Sequence, residues 1–174
     1  MRYFFYKRWN IVKFRLYGIK IGTNLQAFSR IYLKINDKAL VEVGNNVHII
    51  SGDSHNPLCR NIQTCLCAER PNSVIEISND CGLSSPCIWS KDKIVIGNRV
   101  LIGGDCIIMD SDGHSLNWND RNQSQNITSN GFSLDEQITR TAPIFIEDDV
   151  LIGTRCIILK GLLLEHAVSL LRAV

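Results

Sequence analysis

Val100-Leu101-Ile102-Gly103-Gly104-Asp105-Cys106-Ile107-Ile108 returns fifty residues later as Val150-Leu151-Ile152-Gly153-Thr154-Arg155-Cys156-Ile157-Ile158. In and just upstream of each copy a branched apolar residue recurs every six positions: Ile96, Ile102 and Ile108, then Ile146, Ile152 and Ile158. A smaller apolar group precedes the next such position by two: Val100 and Cys106, then Val150 and Cys156. A period of six matches neither the 3.6 of a helix nor the 2 of an open sheet. It predicts a solenoid in which each hexad lays one short strand on one face of a triangular prism and three hexads complete a coil.

The same unit begins at Ile21-Gly22, Val43-Gly44 and Ile77-Ser78, with Leu25, Val47 and Cys81 at the small inward position. Leu83 and Trp89 continue the third of these in sixes; the register then breaks, with a step of seven to Ile96, and it also breaks between residues 50 and 74. Gly after the inward aliphatic, and Asn after that Gly, are expected to turn the corners through backbone angles closed to most residues. Residues 1–18 form an N-terminal arm or cap, 19–161 the β-helix with an excursion over 109–143, and 162–174 a non-repeat tail.

The 174 residues suffice for one domain with its own core. The net charge of +2, with Lys and Arg not clustered on any predicted face, gives no reason to expect a nucleic-acid partner. Seven cysteines is an odd number, and Cys106 and Cys156 fall inward. Cys59 and Cys65-Leu66-Cys67 lack a second pair at zinc-finger spacing, so reduced, mostly buried thiols in a cytoplasmic protein are expected, with no metal. No run is long and apolar enough to span a bilayer, so integral membrane association is not expected. Met1 to Tyr17 mixes aromatics with Lys7, Arg8, Lys13 and Arg15. Such an arm either rests on a membrane surface or caps the open end of the solenoid; the cap is the expectation.

Between Ile108 and Pro143 the repeat gives way to a polar excursion that opens Met109-Asp110-Ser111-Asp112-Gly113-His114-Ser115 and then supplies Trp118, Asp120 and Arg121. A loop that long inside a compact domain is usually functional or disordered. The hexads, the Asp-x-Asp-x-His element and Val150-Leu151-Ile152-Gly153 together resemble the left-handed β-helix acyltransferases. Among these the chain is similar to the sugar and polysaccharide O-acetyltransferases that include the maltose and galactoside acetyltransferases, over roughly residues 19 to 161. The resemblance implies an all-β, left-handed parallel β-helix that transfers an acetyl group from acetyl-coenzyme A to a glycan hydroxyl in polysaccharide biosynthesis, as a cytoplasmic homotrimer. It implies His114 as general base, a task that suits imidazole near neutral pH. Asp110 or Asp112 would orient the ring, and the Thr154 N–H beside Gly153 would receive the oxyanion. Leu151 stands where relatives often carry Trp, which removes a stacking platform from the acceptor pocket; Trp118 is a candidate replacement, or else an anchor for the loop.

Two other readings remain open at this point. Three histidines on such a solenoid can hold zinc between subunits, as in carbonic anhydrases of this shape, and His48, His55 and His114 are the candidates. A solenoid remnant that catalyses nothing is the other. It is tied to the tail, for Leu162 to Val174 has no corner glycine and looks helix-permissive. With suitable codons, restoring one G at the Gly161 codon would regenerate the next hexad, so the tail is read as out of frame.

Overall fold

The hexads close into coils because a strand buried on one side by Ile or Val has only its neighbours above and below to pair with. The computed structural model describes residues 2–52, 56–122 and 133–171. Helix α1 (Arg2–Leu16) leads into coil one, made of β1 (Lys20–Ile21), β2 (Gln26–Ala27) and β3 (Ile31–Ile35). Coil two is β4 (Leu40–Val43), β5 (His48–Ile50) and β6 (Thr64–Ala68); coil three is β7 (Val74–Ile77), β8 (Gly82–Ser84) and β9 (Cys87–Ser90). Coil four is β10 (Lys93–Ile96), β11 (Leu101–Ile102) and β12 (Ile107–Met109). The excursion follows, carrying α2 (Trp118–Asn122) and α3 (Leu134–Ile138). Coil five is β13 (Ile144–Ile146), β14 (Leu151–Ile152) and β15 (Ile157–Leu159), and β16 (Leu163–Leu164) and β17 (Ser169–Leu170) begin a sixth.

Every third strand pairs in parallel, which builds three faces. The first runs β1-β4-β7-β10-β13-β16, the second β2-β5-β8-β11-β14-β17, and the third β3-β6-β9-β12-β15. The chain is a parallel β-helix. The two copies of the repeat lie directly on one another: Ile102 pairs with Ile152, and Ile108 with Ile158. Inward side chains stack in columns such as Ala27, Ile49, Leu83, Ile102 and Ile152, all buried. Each buried Leu or Ile of these columns stabilises the fold by about 1.5–3 kcal/mol.

Three local expectations are corrected. Trp89 is not an inward residue: Ile88 pairs with Leu66 and Ile108 and is buried, while Trp89 faces outward beside Cys67 and Met109. A tight corner at Ser85 (φ 48°) shortens the step from Leu83 to five. The corner glycines are not needed for positive φ, which falls two residues later at Asn24, Asn46 and Arg99. They are needed for room. A Cβ on Gly97 would lie 2.6 Å from Asp148 Oδ1 and 2.7 Å from the Glu147 carbonyl carbon of the coil above. The residue between these two builds a ladder: the backbone N–H groups of Thr23, Asn45, Asn79 and Asn98 donate to the side chains of Asn45, Asn79, Asn98 and Asp148, at 2.7–3.1 Å.

The tail is the third correction. Leu163–Leu164 pairs with β13 and Ser169–Leu170 with β14, so these residues lie on the coil as strands and form no helix. Leu164 and Leu170 keep the six-residue step of Ile146, Ile152 and Ile158. The corner between them takes its positive φ at Ala167 (58°), the place filled by Asp149 one coil below.

Candidate active site

The excursion leaves and re-enters the solenoid at the corner between the third and first faces, and its base is zipped shut. Ala142 N–H donates to the Asp110 carbonyl and Asp112 N–H to the Arg140 carbonyl, on either side of an antiparallel bridge between Ser111 and Thr141. Asp110 is fully buried and accepts from Ser90 Oγ at 2.7 Å, Lys91 N–H at 2.7 Å and Asp92 N–H at 2.9 Å. It stitches coil four to the corner of coil three. Asp112 pairs with Lys160 at 3.0 Å, while its buried Oδ2 has no hydrogen-bond partner among the described residues.

Neither of these carboxylates holds His114. Asp135 does, from the other limb of the loop: His114 Nδ1 lies 2.6 Å from Asp135 Oδ2, and Ser115 N–H donates to Oδ1 at 2.7 Å. The physical reason is local. Asp110 and Asp112 are spent on the corner and on Lys160, whereas α3 aims Asp135 back at the descending limb. Ser133 caps that helix reciprocally with Glu136: Ser133 Oγ accepts from Glu136 N–H at 3.2 Å, and Glu136 Oε2 accepts from Ser133 N–H at 2.8 Å. Burial pushes the Asp135 carboxyl up, but the hydrogen bonds from His114 and Ser115 outweigh it and hold the group below its usual range. An ionised carboxylate only accepts, so Nδ1 is the ring nitrogen that donates to it, and Nε2 is the one turned away from Asp135. The His114 side chain is 72% exposed while Asp135 is fully buried, so the ring is fixed on one side and open on the other.

A buried charge cluster supports the residue before it. Lys91, with its side chain 2% exposed, donates to the Gly113 carbonyl at 3.2 Å, stands 3.6 Å from Glu69 and sits over the Trp89 ring at 5.4 Å. Glu69 also receives Lys34 at 2.5 Å and Trp89 Nε1 at 3.0 Å. Burial raises the Glu69 carboxyl, yet the two lysines and the indole together lower it below its usual range. Arg70 donates to the carbonyls of Glu136 and Thr139, mooring the ascending limb. Glu69, Arg70, Lys91 and Asp135 carry no motif of their own. The one signal available for Asp135 is Ser133-x-x-Glu136, a capping box that marks the start of α3.

The other predicted residues lie elsewhere. Leu151, Gly153 and Thr154 line a shallow groove on the second face with His48, Ser84 and Leu101, and Thr154 stands at the corner between the second and third faces. One chain therefore divides the expected machinery between two corners of the prism. Trp118, 63% exposed on α2, is not packed down as an anchor. Ser115 holds that helix by donating to Asp120 at 2.8 Å and accepting from Arg121 at 2.6 Å. Of the three histidines considered for zinc, His48 faces outward on the second face, His114 lies at a different corner, and His55 lies outside the described residues. Among the described residues no three His, Cys, Asp or Glu side chains gather as a metal cage. No helix of the described residues is long and apolar enough to cross a membrane. Searches against protein-family models, curated proteins and solved structures find no match to the chain.

Proposed function

We propose that the chain is an acetyl-coenzyme A-dependent O-acetyltransferase acting on a sugar or glycan hydroxyl, with His114 as general base and Asp135 as the group that orients it. The observation that carries this reading is the His114–Asp135 pair at 2.6 Å, with the carboxylate buried and ionised and the imidazole open to solvent. Nε2 takes the proton of the attacking hydroxyl, the hydroxyl oxygen bonds to the thioester carbonyl carbon, and collapse of the intermediate expels coenzyme A as thiolate. The resemblance assigns the developing oxyanion to the Thr154 N–H. Because His114 and Thr154 occupy different corners of one chain, the complete site would form between copies arranged head to tail in a closed ring, and the resemblance makes that ring a homotrimer. Exposed Trp118 offers a ring face for the sugar in place of the stacking residue that Leu151 lacks.

The test is coenzyme A release, followed with a thiol reagent over a panel of glycans, alongside light scattering and metal analysis. His114→Ala is expected to lose about two to four orders of magnitude in turnover with folding intact. Near-normal transfer by that variant ends the assignment. Stoichiometric zinc would favour the carbonic anhydrase reading, and the absence of release with every glycan of the panel would favour an inactive solenoid.

A further inference from the structure

The charge of this chain is divided by position. Eight of the 19 Lys and Arg residues fall in residues 1–36, ahead of the first acidic residue, Asp37; the other 11 share residues 37–174 with all 17 acidic ones. The fold collects residues 2–36 into α1 and coil one, so the capped end of the solenoid is basic and the rest of it is acidic.

Helix α1 caps that end with one side only. Phe14 is fully buried, and Asn10, also buried, donates to the carbonyls of Ala27 and Ser29 at 2.9 Å each. The opposite side carries Phe5, Trp9, Val12 and Leu16, spaced i, i+4, i+7 and i+11, so they form one stripe. Their exposures are 62%, 47%, 48% and 76%. The Phe5 and Trp9 rings lie parallel, 6.5 Å apart. Arg8 and Arg15 are exposed along one flank of this stripe, and the helix contains no acidic residue.

We propose that this outer side of α1 docks on the surface of an anionic lipid bilayer, lying in the plane of the headgroups. An exposed apolar stripe flanked by Arg8 and Arg15 fits a helix lying in a membrane interface: rings and aliphatics enter the acyl boundary while the guanidinium groups meet lipid phosphates. Charge selects this occupant over a second copy docked cap to cap, since two such caps face to face would oppose like charges with no acid on either helix to pair them. The stripe selects it over a nucleic acid, which offers phosphates but no apolar layer for Leu16 and Val12. The inference stands whether or not the chain transfers acetyl groups.

Sedimentation of the full chain with phosphatidylcholine vesicles, with and without phosphatidylglycerol, tests it. Binding is expected on the vesicles containing phosphatidylglycerol, weakening as salt is raised. Leu16→Asp should cost roughly tenfold or more, from the lost burial of one Leu. Arg8→Gln with Arg15→Gln should cost on the order of twentyfold, at about fivefold per cation. These residues are exposed, so unchanged unfolding midpoints would show that the variants fold. Absence of sedimentation with phosphatidylglycerol vesicles, or variants that bind like the parent, would overturn the proposal. So would self-association abolished by Leu16→Asp, or retention by duplex DNA, if no vesicle binding accompanies it.

Discussion

Asp135→Asn separates the catalytic reading from the merely structural one. The replacement is isosteric and keeps an oxygen for the Ser115 N–H, but it can turn an amide NH2 toward His114 Nδ1, now 2.6 Å from Oδ2. Two donors cannot share that contact. The imidazole then moves its proton to Nε2, the nitrogen that must be free to receive one, so turnover should fall by about 10³–10⁴. The stability effect is smaller. A hydrogen bond to a charged group is worth about 1.5–3 kcal/mol, and the largely solvated His114 side of this one reduces it to about 1 kcal/mol. Its pH dependence has a definite sign. The folded carboxyl is depressed, so its contribution is present above the unfolded value of about 3.9 and is lost as pH falls through the folded value. Urea unfolding of both proteins from about pH 7 to about pH 3 should therefore show a gap that narrows at the acid end. A gap that persists there would refute the linkage. An Asn variant with parental turnover would refute the pairing as catalytic, whatever its stability.

Lys91→Met should lower kcat more than it changes KM, because the Gly113 carbonyl loses its tether while no residue in the proposed acceptor contacts is altered; steady-state kinetics would check the split. Removing one partner of a buried pair costs about 3–5 kcal/mol, and Lys34 remaining on Glu69 places this case near 3. Gly97→Ala forces a Cβ against the backbone of the coil above and should destabilise by about 1–3 kcal/mol, read as a lower thermal midpoint; an unchanged midpoint would show that the corner yields.

Most of the fold was legible because a solenoid repeats its instructions. Ile96, Ile102 and Ile108, matched by Ile146, Ile152 and Ile158, state both the strand spacing and the stacking register. Errors arose where one residue type can serve two purposes. Trp89 looked like the next inward hexad residue, but the corner at Ser85 shortens the step and leaves Ile88 inside. The tail looked helical because a corner glycine was sought, when the decisive pattern was the six-residue spacing of Leu164 and Leu170; Ala167 accepts positive φ without glycine. The site was half legible. His114 stood out beside two nearby aspartates, yet its partner lies 21 residues away, since a loop folded back on itself brings together positions that spacing along the chain cannot relate.

The solenoid also explains how a long loop can be hung on it. Closing a longer loop adds only a logarithmic entropy cost, about 0.6 kcal/mol per doubling of length. Strands β12 and β13 are meanwhile held by their own neighbours above and below, whatever lies between them. The interruption thus leaves the coil intact, and the requirement shifts to the loop, which must be rigid enough to aim one imidazole. Asp110 fixes its root, Lys91 the carbonyl before His114, Arg70 the ascending limb, and Asp135 the ring itself. These attachments run along one corner of the prism, whereas Gly153 and Thr154 belong to the next corner. They hold His114 at its own corner, away from Gly153 and Thr154. On the proposed function, the His114 corner of one copy would meet the Thr154 corner of another. The division of the proposed site between corners is therefore a reason for assembly, and a monomer with full acetyl-transfer activity would be incompatible with it.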